Sequence, residues 1–80
     1  PTGSVIELSS GEVGIVLEQN RLRRLRPKVL VVLDESKNEL STPYTLDLDR
    51  TLADHNGNKL VIKNSLPSDA YGISRDDYYL

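Results

Sequence analysis

The side chains best equipped for chemistry sit in one run, Arg21-Leu22-Arg23-Arg24-Leu25-Arg26-Pro27-Lys28. It holds five of the ten basic groups of a chain whose net charge is −2, enough to grip phosphates, RNA or an acidic protein face. Outside the run, five positive charges stand against twelve negative ones, a net of −7, so the charge is segregated. Arg21, Arg23, Arg24, Arg26 and Lys28 are therefore candidate interaction residues. The leucines at 22 and 25 interleave with the arginines. This predicts a loop that partly packs down while its guanidinium groups pair with Glu7, Glu12, Glu18 or the Asp47/Asp49 stretch. The negative net charge, and the lack of any Phe or Trp on which bases could stack, make nucleic acid the less favoured partner.

Other chemistries find less support. The single histidine, His55 in Asp54-His55-Asn56-Gly57, reads as a solvated loop residue, and without cysteine it builds no His-rich or thiolate metal site alone. Asp47, Asp49, Asp54, Asn56 and Asn58 crowd a short stretch, but neither calcium-loop register survives. Counting from Asp47, the glycine place is Leu52; counting from Asp54, it is Lys59 and the twelfth place is Ser65. Gly11-Glu12-Val13-Gly14 has the spacing of a phosphate clamp yet lacks basic flanks and a following helix. The paired arginine and Asp/Asn-x-Ser-x-x-Gly pattern that barrel-type receptors use for cyclic dinucleotides is absent in both halves. No catalytic, metal or cofactor-binding residue is assigned, and no cofactor is expected.

Eighty residues suit one small domain, 1–80, with a radius of gyration of about 12 Å and little depth for an enzyme pocket. A chain without Cys is not a disulfide-stapled secreted module, and a cytoplasmic address is expected. The longest apolar run, Val29 to Leu33, is far short of the roughly 20 residues that cross a bilayer. A chain with no Met that opens on Pro1 is expected to be a piece of a longer, multidomain protein.

The elements that must position the basic run are strands. Ser4 to Leu8 is the first, followed by a Ser9-Ser10-Gly11 turn whose glycine supplies positive φ. Glu12 to Gln19 alternates, with Gly14 at a place where the sheet coils tightly or another backbone comes close. Lys28 to Asp34 is apolar on both faces, as a covered central strand is. Tyr44 to Asp49 and Lys59 to Lys63 complete five, the last entered through the Asn56-Gly57 turn. Residues 64 to 73 read as an ordered loop. The tail holds Tyr71, Tyr78 and Tyr79, also candidate interaction residues, and Ser74 with Asp77 forms a weak capping box for a turn from Arg75 to Tyr79. Tyr71, Ile73 and Leu80 are expected to fold back over an apolar face of Val5, Val16, Leu30 and Val32. The fold class is all-β, a small five-stranded antiparallel SH3-like barrel with a short C-terminal helical turn. An OB-type barrel is the alternative.

Two stretches carry a resemblance. Pro1-Thr2-Gly3-Ser4-Val5-Ile6-Glu7-Leu8-Ser9-Ser10-Gly11-Glu12-Val13-Gly14-Ile15-Val16-Leu17-Glu18-Gln19-Asn20, with Leu25-Arg26-Pro27-Lys28-Val29, resembles the segment directly after the catalytic helices of HD-GYP domain proteins. Leu66-Pro67-Ser68-Asp69-Ala70-Tyr71-Gly72-Ile73-Ser74, through Asp77-Tyr78-Tyr79-Leu80, is similar to the end of the same family's chains. The similarity spans nearly all 80 residues and is weakest from Asn38 to Asn58. That family's catalytic domain hydrolyses cyclic di-GMP with histidines and aspartates around iron or manganese. None of this machinery carries over, because the chain has no His-Asp pair, no spaced histidines and no Gly-Tyr-Pro motif. The resemblance implies a non-catalytic C-terminal accessory barrel of a cyclic di-GMP phosphodiesterase, packed on its own catalytic domain or on another subunit. The runner-up is a nucleic-acid-binding barrel of the kind found in translation and transcription factors.

Overall fold

Short β-branched runs separated by glycine- and aspartate-centred turns give five strands. These are β1 (Val5–Leu8), β2 (Val13–Glu18), β3 (Lys28–Leu33), β4 (Glu39–Asp47) and β5 (Ile62–Leu66). The structure, a computed structural model, describes residues 1–80, with a radius of gyration of 11.5 Å. Every pairing is antiparallel, and the single sheet has the order β4-β3-β2-β1-β5. Four strands meander and the fifth returns beside the first, which is the SH3-like arrangement and not the Greek key of an OB-type barrel. The all-β, barrel-like fold expected from the sequence is the one observed.

Side chains alternate across the sheet, so each strand serves two apolar layers. One layer contains Ile6, Leu8, Val16, Val29 and Val31, closed by Leu48 and Leu60 from the segment that crosses from β4 to β5. The other contains Val5, Val13, Ile15, Val32 and Leu33, closed by Ile73 of the tail. The central strand β3 feeds both layers, which is why it lacks a polar face. Gly14 sits where β2 passes β3 so closely that a Cβ would lie 2.9 Å from the Leu30 carbonyl oxygen.

Several expectations need correction. β4 begins at Glu39, five residues before the expected start at Tyr44, because Asp34 folds β3 back on it. The Asp34 Oδ1 accepts from the backbone amides of Ser36 and Asn38, each at 2.9 Å. Ser41, Thr42 and Pro43 hide this strand in the sequence. The proline is tolerated because β4 is an edge, and the register slips opposite Val31 and Leu33 to absorb the extra residues. The fifth strand is Ile62–Leu66, so Asn64 and Ser65 pair with β1 and do not belong to a loop. Residues 53–59 instead form a small irregular hairpin around Asn56-Gly57, bridged only at Ala53 and Lys59.

The tail forms two 3-10 turns, Ala70–Gly72 and Arg75–Tyr78, and the Ser74 side chain makes no capping bond. Ile73 covers the second layer, with Ala70 and Tyr78 against it, whereas Tyr71 and Leu80 stay exposed. Val16 belongs to the opposite layer from Val5, Leu30 and Val32.

Candidate interaction site

The basic run forms the β2–β3 connection at the end of the sheet where β1 starts and β4 ends. Asn20 shapes it. Its Oδ1 accepts from the amides of Leu22 and Arg23 at 3.0 Å, and its Nδ2 donates to the Arg26 carbonyl at 3.4 Å. Pro27 is buried beneath it. The five cations then part ways. The Arg26 guanidinium donates to the carbonyls of Leu48 at 3.2 Å and Leu60 at 2.5 Å, pinning the crossing segment that seals the first layer. Arg23 pairs with Asp49 at 3.2 Å, and Lys28 lies 3.8 Å from its cross-strand neighbour Glu18. Arg21 and Arg24 pair with no carboxylate.

The leucines do the reverse of what their interleaving suggests. Leu22 is 90% exposed and Leu25 76% exposed, so neither packs down. Beside them opens a groove of about 620 Å³, lined by Arg21, Arg24 and Leu25 together with Ile6, Val16 and Ile62. Pro1 lines it as well. The apolar lining escaped the sequence reading because only the β1–β5 pairing, with Ser65 opposite Ile6 and Ile62 opposite Leu8, brings the fifth strand to this groove. The tyrosines also divide. Tyr78 packs half-buried against the second layer, and burial, then Glu39 and Asp77, push its pKa up. Tyr71 and Tyr79 are 56% and 97% exposed.

Of the acidic partners expected for the loop, Asp49 and Glu18 do meet it, at Arg23 and Lys28, whereas Glu7 and Glu12 lie at the opposite end and serve other groups. Glu7 pairs with Lys37 at 3.0 Å, and the Asn64 hydrogen bond, followed by that of Lys37, holds its carboxyl below the ordinary value. Glu12 accepts from the Tyr44 hydroxyl, whose pKa is pushed up by desolvation first and by Glu12 second. His55 is an exposed loop residue 3.9 Å from Glu35. No three His, Cys, Asp or Glu side chains converge closely enough to hold a metal ion.

This geometry is an exposed basic and apolar surface on a small SH3-like sheet. A family model described as "KOW domain associated with HD domain" matches residues 5–53. The chain belongs to that family. The matched span takes in β1 to β4 and the whole basic loop of this KOW domain. It ends before β5 and the tail, so the closing stretch behind the HD-GYP resemblance lies outside it. A search of curated proteins and one of solved structures return no significant match. The association with an HD domain makes this an accessory domain of an HD-domain protein. No helix here is long and apolar enough to cross a membrane.

Proposed function

We propose that the chain is the accessory domain following the catalytic domain of an HD-GYP-type cyclic di-GMP phosphodiesterase in the cytoplasm, and that it does no chemistry itself. It packs on that catalytic domain or bridges two subunits, and it sets their stability or activity. The observation that carries this reading is the family's association with an HD domain across residues 5–53. The HD-GYP resemblance at the first hairpin and Arg26-Pro27-Lys28 narrows it further. The exposed leucines between unpaired arginines support a protein partner over a nucleic acid, because phosphates offer nothing to an isobutyl group.

The test compares the parent protein with and without residues 1–80. Cyclic di-GMP hydrolysis, thermal midpoint and oligomeric state are measured on both. Loss of stability, altered turnover or a changed oligomer is expected on deletion. Identical values for all three, or turnover by the 80 residues alone, would refute the reading.

A further inference from the structure

The fold leaves one surface unfinished. Leu22 and Leu25 stand three residues apart, as do Arg21 and Arg24, and all four belong to a loop shaped by Asn20 and anchored by Arg26. Their exposure therefore comes from a defined conformation. The acidic groups within reach are already committed, Asp49 to Arg23 and Glu18 to Lys28. What remains open is two cations and two leucines, of which Arg21, Arg24 and Leu25 line a groove with Ile6, Val16 and Ile62.

From this geometry we infer that the groove and its loop form the seat of an acidic, apolar-centred helix face on the domain joined ahead of Pro1. The inference rests on the function proposed above, in which the HD domain precedes this chain. Pro1 itself lines the groove, so a domain attached there emerges beside its seat. Apolar groups of the helix enter between Leu25 and Ile62, and its carboxylates meet Arg21 and Arg24. The charge requirement is selective, because the loop carries five positive charges while the remainder of this chain carries a net −7. No aromatic side chain lines the groove, which removes the stacking platform a single-stranded nucleic acid requires.

The test uses the full-length parent protein carrying a photo-cross-linking amino acid in place of Leu22 or Leu25, with Glu35 at the opposite end as the control position. The expected result is an intramolecular cross-link from 22 or 25 to a preceding-domain peptide rich in Asp, Glu and apolar residues. The double variant Arg21→Glu/Arg24→Glu should cut its yield about tenfold, while circular dichroism keeps the thermal midpoint of the domain unchanged. Cross-links to a second subunit, to RNA or to nothing overturn the inference, as does a yield indifferent to the charge reversal. If deletion of residues 1–80 still alters turnover or assembly in that case, the accessory role stands and only this surface is wrong. If deletion changes nothing, the proposed function itself has failed.

Discussion

Arg26→Ala separates the anchoring arginine from its neighbours in the basic run. The residue donates from one charged group to two backbone carbonyls, at 3.2 Å to Leu48 and 2.5 Å to Leu60. Both residues are buried, at 0% and 2% exposure, on a crossing segment outside the five strands. A hydrogen bond to a charged group contributes about 1.5–3 kcal/mol, and the half-buried setting of Arg26 argues for the lower end of that range. Two such bonds give a loss of about 3 kcal/mol. For a domain of this size each kcal/mol moves the thermal midpoint by about 4–8 °C, so a fall of about 12–24 °C is expected. Urea unfolding followed by circular dichroism measures the loss directly, as a lower midpoint at unchanged slope. Arg26→Lys should recover less than half, since the lysine ammonium ends one bond short of the Nη1 that reaches both carbonyls. Arg24→Ala, in the same loop with no carboxylate partner, should stay within about 0.5 kcal/mol of the parent chain. If Arg26→Ala unfolds at the same urea concentration as Arg24→Ala, the crossing segment is held by its leucines and by its bonds to Ser9 and Pro27, and the anchoring role is wrong.

Three further predictions use the same unfolding assay. Gly14→Ala should cost about 1–3 kcal/mol, because its Cβ would meet the Leu30 carbonyl at 2.9 Å and backbone must move; an unchanged midpoint would show the strands have slack. Lys37 holds φ at 68° while its Nζ donates to the Gly11 carbonyl at 2.5 Å and pairs with Glu7. Once both variants have lost those contacts, Lys37→Gly should be about 0.5–1 kcal/mol more stable than Lys37→Ala, since glycine escapes the left-handed strain at some cost in unfolded-state entropy; the reverse order would count against strain at this turn. Asn64 and Lys37 hold the Glu7 carboxyl below 4.5, so its contribution is present above the unfolded pKa and lost as pH falls through the folded one. The stability gap between the parent chain and Glu7→Gln should therefore narrow as the medium is acidified from about pH 5 to pH 3. A gap constant with pH would mean the carboxylate form is not favoured by folding.

The parts of the fold legible in the sequence are those where local chemistry and tertiary need coincide. Gly11 has φ 94° in a three-residue turn, and Gly14 lies under a neighbouring backbone. The doubly apolar β3 is covered on both sides. What escaped is decided by pairing. Asn64 and Ser65 have exposed side chains and weak strand propensity, and β1 recruits them through main-chain hydrogen bonds that leave no mark on composition. Residues 39–43 join an edge strand despite Pro43, because only one side of that strand needs its donors. Asp34 and Asp54 build two turns of one geometry, each accepting from the amides two and four residues on. In one the left-handed residue is Gly57, but in the other it is Lys37, whose side-chain contacts offset the strain. A glycine there would have disclosed the β3–β4 turn. At the candidate site, residue type located the loop, but the allocation of its cations depended on which carbonyls and carboxylates the fold brings within reach.

The contrast between the two ends of the sheet bears directly on where a partner docks. At the end holding the β1–β2 and β3–β4 turns, polar groups are committed within the chain. Glu12 takes the Tyr44 hydroxyl, Glu7 takes Lys37 and Asn64, and Glu35 faces His55. Both aspartate-centred turns there satisfy their own amides. At the other end the same economy stops at Arg23, Arg26 and Lys28, leaving Arg21 and Arg24 unpaired beside two leucines that the core does not accept. Leu52, Tyr71, Tyr79 and Leu80 are exposed elsewhere on the molecule, outside this loop. What sets the two leucines and two arginines apart is one preshaped loop, in which Arg21, Arg24 and Leu25 line a groove together with Pro1. Exposed apolar area next to unpaired charge is costly to keep in water but useful to a partner that brings both complements, which is why docking is assigned to this end of the sheet and not to the self-satisfied one.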